Sequence, residues 1–184
     1  KAIYIHAIRD VISNIHAERT YQLSSNDGAS NPDGSTWLNS VIVLGNSKIT
    51  QVVMDSASVN PPTGETIISG QTYRVMLNGD NSEFAQFVIA GNAICTYGSS
   101  STFTNIQATG FYPNYPASSV QINNPQLTTL SSGASGNVFG GSVTTATFLY
   151  NAADFHYLGT SIGTVDYHTT PTLGNISFSN CKIT

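Results

Sequence analysis

Two Asp-x-His units lie 12 residues apart in this chain, Asp154-Phe155-His156 and Asp166-Tyr167-His168. In an extended strand residues i and i+2 share a face, so each carboxylate sits beside an imidazole. Such a pair orients the ring and raises its basicity, which suits general acid–base work, and it also offers two metal ligands. The chain has only ten acids and four histidines in 184 residues, so Asp154, His156, Asp166 and His168 are the catalytic candidates. The plainer alternative is that polar side chains alternate outward while Phe155, Tyr157, Val165 and Tyr167 pack. Aromatic rings offer a second chemistry. Tyr112, Tyr115, Tyr157 and Tyr167, with Trp37 and Tyr150, can stack on the apolar CH faces of sugars. Tyr112 and Tyr115 fall in residues 111–116 (FYPNYP), where proline keeps the segment out of a sheet and leaves its rings exposed.

Motifs for common cofactors do not occur: there is no P-loop, no G-x-G-x-x-G beside a helix, no H-E-x-x-H, no G-x-S-x-G and no C-x-x-C. Asp27-Gly28 and Asp33-Gly34 share an Asx-rich loop, without the spacing or the closing Glu of an EF-hand. The expectation is therefore no cofactor and no metal. Only 9% of residues are charged, and a net charge of −4 with six basic residues argues against nucleic acid or an anionic membrane as partner. The longest aliphatic run, residues 41–44, is far too short to span a bilayer. Ser, Thr and Asn make up about a third of the chain, beside nine Tyr and eight Phe. That composition does not describe disorder; it describes a β-rich extracellular or virion surface solvated by hydroxyls and amides.

The elements that must position these groups come from a repeat. Residues 42–50 (IVLGNSKIT) align without gaps on 88–96 (VIAGNAICT), and the template also fits 120–128 (VQINNPQLT) and 176–184 (ISFSNCKIT). Two apolar residues spaced by two read as a strand with one buried face. The Asn that follows suits the left-handed backbone of a sharp corner, and the next apolar residue opens a second inward segment. Weaker copies run from Phe103 through Asn105 to Thr109, from Val138 through Gly140 to Thr144, and from Phe155 through Gly159 to Ile162. Corners at 124, 140, 159 and 180 are 16, 19 and 21 residues apart, lengths that suit single coils. The fold expected is all-β, with stacked parallel β-helix-like coils and a short N-terminal helix. In that register Ile42, Leu44, Ile49, Val88, Ala90, Cys95, Val120, Ile122, Leu127, Ile176, Phe178 and Ile183 point inward, and Asn46, Asn92, Asn124 and Asn180 bend the chain.

The alternative is an antiparallel β-sandwich or jelly roll with the same N-terminal helix. It draws on residues 73–80, which read as a strand entering a tight turn, and 84–89 as the returning strand. Only the sandwich allows a Cys95–Cys181 disulfide. In the coil register the two thiols are several coils apart at about 4.8 Å each, beyond disulfide reach. Ile5, Ile8, Ile12 and Ile15 are spaced 3, 4 and 3, the rhythm of a helix with one apolar stripe. Residues 1–23 are thus expected to form a helix that caps the core or a neck that trimerises, although Ile3, Ile5 and Ala7 also alternate as in a strand. Residues 24–184 are expected to form one β domain, readable as a fragment of a longer chain, with loops at 24–35 and 55–66.

Over residues 40–184 the coil pattern, the low charge and the helical neck resemble phage tailspike proteins and, more remotely, pectate-lyase-like β-helices. The resemblance implies a homotrimer that binds, and often cleaves, bacterial surface polysaccharide. Polygalacturonase-type β-helix hydrolases carry an Asn-Thr-Asp motif and an Asp-Asp pair, and this chain has neither, so no catalytic residue carries over. Three functions follow as expectations: a virion or cell-surface attachment segment recognising surface glycan, a pilin-like or adhesin subunit built on the sandwich, or a secreted glycan-degrading enzyme.

Overall fold

A computed structural model describes residues 4–17, 40–54, 67–68, 71–72, 75–95, 98–113, 117–148, 154–167 and 174–184. The strands are β1 (Tyr4–Ile8), β2 (Val11–Ala17), β3 (Ser40–Gly45), β4 (Lys48–Met54), β5 (Ile67–Ile68), β6 (Gln71–Thr72), β7 (Val75–Asp80) and β8 (Glu83–Cys95). They continue with β9 (Thr102–Pro113), β10 (Val120–Asn123), β11 (Gln126–Ser132), β12 (Gly136–Phe139), β13 (Ser142–Phe148), β14 (Phe155–Leu158), β15 (Ser161–Tyr167), β16 (Ile176–Ser179) and β17 (Lys182–Ile183). Fifteen strands form one continuous parallel ladder, and the two-residue β5 and β6 pair antiparallel apart from it. The chain is a β-solenoid, and no described residue is helical.

Each coil turns at left-handed residues that stack on one another. One corner ladder runs Arg9, Asn46, Asn81, Ser100 and Ser119, with φ between 46° and 60°. A second runs Asn14, Gln51, Gln86, Asn105, Asn124, Gly140, Gly159 and Asn180, with φ between 50° and 65°. Most of these are Asn or Gly, the types that enter this backbone region at least cost. The residue after the corner is often a small hydroxyl that turns inward to satisfy the carbonyl two positions back. Ser47 Oγ donates to the Gly45 carbonyl at 2.9 Å and Ser82 Oγ to Asp80 at 2.7 Å, whereas Ser101 Oγ donates to the Gly79 carbonyl on the preceding rung. The same hydroxyls accept across rungs: the Asp10 N–H donates to Ser47 Oγ at 3.0 Å and the Ser47 N–H to Ser82 Oγ at 3.2 Å. Where the strand ladder breaks, side chains thus complete the backbone hydrogen bonding.

Between the corners lie three sides. The first holds β1, β3 and β7 and the ends of β8, β9, β11, β13 and β15. The second holds the starts of β2, β4, β8 and β9, then β10, β12, β14 and β16. The third holds the parts of β2, β4, β8 and β9 beyond the second corner, then β11, β13, β15 and β17. Inward residues form ladders down the axis. On the second side the register stacks Ile12, Ile49, Phe84, Phe103, Ile122, Val138, Tyr157 and Phe178. On the third side Met54, Ile89, Ala108, Leu127, Val143, Ile162 and Ile183 stack in the same way. Phe84 and Phe103 lie face to face at 4.8 Å and 8°, and Tyr157 and Phe178 at 5.3 Å and 22°. Each fully buried side chain of this size contributes about 1.5–3 kcal/mol of transfer free energy.

Several expectations need correction. No helix forms from Ile5, Ile8, Ile12 and Ile15: residues 4–17 are β1, a corner and β2, paired with β3 and β4. A left-handed corner inserts one extra residue, so inward positions on either side of it are three apart, as in Ile12/Ile15, Ile49/Val52 and Phe84/Phe87. That spacing imitates a helical stripe. Ile5, Ile12 and Ile15 pack against the core, Ile8 faces outward, and the stripe invoked for a trimeric neck serves the first rung. The sandwich and the 73–89 hairpin do not form either. The turn between β7 and β8 is the Asn81 corner, and β7 pairs in parallel with residues one coil later, Val75 with Ala93 and Met76 with Ile94.

The repeat template joined two different corners, Asn46 on the first ladder and Asn124 and Asn180 on the second, and it also misplaced the partner of 42–50. The segment equivalent to 42–50 is 77–85, because Ile42 pairs with Leu77 and Ile49 with Phe84. Asn92 therefore lies within β8 beside a register irregularity, and Val88 and Ala90 face outward, Val88 with 43% exposure. Asn46, Asn124 and Asn180 are corners as expected. Ile42, Leu44, Ile49, Cys95, Val120, Ile122 and Leu127 are buried. Ile176 and Phe178 are half-buried and Ile183 is exposed, because they occupy core positions on the outermost rung described. Cys95 and Cys181 are not joined by a disulfide.

Candidate binding face

The third side builds its outer surface by translation. Beyond the second corner, β9 reads Asn105-Ile106-Gln107-Ala108-Thr109, and the next rung reads Asn124-Pro125-Gln126-Leu127-Thr128. Ile106, Ala108, Pro125 and Leu127 are buried, while Asn105, Gln107, Thr109, Asn124, Gln126 and Thr128 are exposed. Gln107 pairs in register with Gln126, so Asn, Gln and Thr each stand above their own kind. Asn124 Nδ2 donates to Asn105 Oδ1 at 2.8 Å, which orients both amides along the corner. The Gln107 and Gln126 amides make no hydrogen bond among the described residues, so their donors and acceptors face solvent. The preceding rung carries smaller, apolar groups at Val88 and Ala90, and the following one starts with Ser142.

These steps hollow the face into an open trough of about 480 Å³ lined by Val88, Ala90, Gln107, Thr109, Gln126 and Thr128. That volume lies within the range of about 300–1,000 Å³ usual for small-ligand sites. A companion hollow reaches the corner amides Gln86, Asn105 and Asn124. Neither lining holds a carboxylate, an imidazole or an ammonium among the described residues. What the trough offers is amide and hydroxyl groups that both donate and accept, with Val88 as an apolar end.

Of the Asp-x-His candidates, the described Asp154 and His156 lie on the second side and Asp166 on the first. His156 faces outward on the second side, where its Nδ1 lies 2.8 Å from Ser177 Oγ. Asp154 Oδ1 accepts the Asn175 N–H at 2.8 Å, a structural bond to the following rung. Asp166 is exposed near the end of β15 on the first side, in register with Thr147, and His168 lies outside the described residues. Among the described residues no three His, Cys, Asp or Glu side chains converge as a metal site would require.

Of the expected aromatic platform, Tyr112, Tyr157 and Tyr167 are among the described residues, and the first two are buried. Tyr157 is fully buried in the second-side ladder, and burial pushes its phenol pKa up. Its hydroxyl and that of Ser132 are both buried without a geometric hydrogen bond, yet lie close enough for Ser132 to oppose part of that rise. Phe111 and Tyr112 are buried at the end of β9, and burial raises the Tyr112 pKa too. Tyr115, Trp37 and Tyr150 lie outside the described residues. Tyr167 is 51% exposed, but its ring stacks on Phe148 at 5.4 Å. The exposed ring missed in the sequence is Phe139, in register with exposed Leu158 on the second side.

A third hollow, of about 520 Å³, follows the first corner past Arg9, Asp10, Lys48 and Glu83. Lys48 Nζ and Glu83 Oε2 form an ion pair at 3.0 Å across adjacent rungs, so part of its charge is matched internally. The chain matches no known family model, no curated protein and no solved structure.

Proposed function

We propose that the chain is a surface attachment module that recognises glycan, exposed on a virion or a cell, with the third-side trough as its binding face. The observation that carries this reading is the repeated Asn-x-Gln-x-Thr rung, which aims the unengaged Gln amides and the Thr hydroxyls into a concave, uncharged surface. Sugar hydroxyls donate and accept at the same atom, and side-chain amides answer both halves of that bond. Polysaccharide hydrolysis ordinarily takes two carboxylates flanking the scissile bond. The described lining supplies none, which favours retention over cleavage. A rigid parallel scaffold fixes the spacing of these side chains, so binding has to order side-chain rotamers but not the backbone.

The test is a glycan array probed with the native protein and with the Gln107→Ala/Gln126→Ala double variant. Native protein is expected to retain a subset of neutral glycans, and the variant to lose at least tenfold in apparent affinity at an unchanged melting temperature. His156→Ala and Phe139→Ala, both on the second side, should bind as the native protein does. Retention by the double variant, or loss on Phe139→Ala, moves the site elsewhere, and no binding to any glycan ends the proposal.

A further inference from the structure

We infer that the trough takes an unbranched, uncharged glycan in an extended conformation, laid along the solenoid axis with one sugar on each rung. This rests on the glycan-binding reading and specifies its ligand. A site for a single small molecule converges different groups on one point. Here the groups do not converge; they repeat. Asn105, Gln107 and Thr109 recur as Asn124, Gln126 and Thr128 at the same positions one rung later. The rung spacing is about 4.8 Å, close to the length one hexopyranose ring adds to an extended chain. A ligand that satisfies one rung then satisfies the next only if it too repeats along the axis.

Four further features narrow the class. The described lining carries no charge, so a uronic or sialic acid would lose its water there without a counter-charge. Gln107 stands directly over Gln126 in register along the axis, so a chain that coils away from that line would leave one of the two. A branch directed at the corner would meet the amides of Asn105 and Asn124, whose side chains are tied by their mutual bond. Val88, 43% exposed at the preceding rung, gives the CH face of one sugar an apolar seat.

The experiment is titration calorimetry with cello-, chito- and manno-oligosaccharides of two to six residues, beside maltohexaose and a hexameric oligogalacturonate. In at least one extended neutral series, affinity should rise at least tenfold from the disaccharide to the tetrasaccharide and then level off. Gln126→Ala should weaken the tetrasaccharide by a larger factor than the disaccharide, because the shorter ligand can shift to the remaining rungs. A flat length profile in all three series overturns the inference, as does tighter binding of maltohexaose or the oligogalacturonate. Either result leaves the glycan-binding reading intact if the array is positive. An array negative for every glycan removes both.

Discussion

Truncating Phe103 to Ala should cost this protein more than almost any other single change. Phe103 is fully buried in the second-side ladder, stacked on Phe84 at 4.8 Å and packed against Phe111 at 4.7 Å and 54°. Phe→Ala in a core costs about 3–5 kcal/mol, and each aromatic contact adds about 0.5–1.5 kcal/mol beyond area. Collapse around the void is limited, because Phe84 and Phe103 sit on strands held by parallel hydrogen bonds at fixed spacing. The expected loss is therefore near the upper end, about 5 kcal/mol. Ile12 holds the same ladder position on the first rung described but is only half-buried, so Ile12→Ala should cost about 1–2 kcal/mol, below the usual core range. Urea unfolding followed by far-ultraviolet circular dichroism measures both. The slope with denaturant should be watched, since a solenoid can unfold coil by coil. A loss for Phe103→Ala of less than about 2 kcal/mol, or one equal to that of Ile12→Ala, refutes the shared ladder.

Other consequences follow from the same geometry. Tyr157 has a folded pKa above its unfolded value of about 10, so stability is full below that pH and declines as pH rises past it. Tyr157→Phe should remove this alkaline loss at little cost at neutral pH, since the hydroxyl it deletes lacks a geometric partner; midpoints at pH 7 and pH 11 check both points. Gly136→Ala should be severely destabilising, because a Cβ there would lie 2.2 Å from the Val120 carbonyl oxygen. Gly140→Ala meets nothing within 4 Å and strains only its φ of +65°, so its melting temperature should fall far less. At the φ +50° corner, Asn124→Val should lose about 1–2 kcal/mol from the left-handed backbone while Asn124→Gly loses less, measured by denaturant midpoint.

Much of the architecture was legible because corners leave a chemical trace. Asn46, Asn124 and Asn180 announced themselves, and the 16-, 19- and 21-residue steps between 124 and 180 are the coil lengths observed. The first coils were harder to read. Asn46 and its partner Asn81 are separated by 35 residues, and the ungapped match of 42–50 on 88–96 drew the corner to Asn92 instead. Two corner ladders with similar residue types also merged into one template, though Asn46 belongs to one and Asn124 to the other. The N-terminal isoleucines misled for a stated reason: an extra residue at each bend turns a period of two into steps of three.

The candidate site was less visible. Asp154 and His156 drew attention as rare titratable groups, but rarity says nothing about convergence, and each engages the following rung. Tyr157 and Tyr112 were read as platforms, yet on an inward ladder position an aromatic ring is the natural core filler. Thr109 and Thr128 were noticed as the residues closing each repeat unit. Their significance needed the register, which sets Gln107 on Gln126 and shows that alternate residues after the corner face out.

The most direct test is a crystal structure of the protein soaked with the tightest-binding oligosaccharide from the length series. The account predicts sugar density along the third side, with successive rings hydrogen-bonded to the Gln107 and Gln126 amides. Ordered density on the second side beside Phe139 and His156, or along the charged groove of Arg9 and Lys48, with the trough filled only by water, would contradict it.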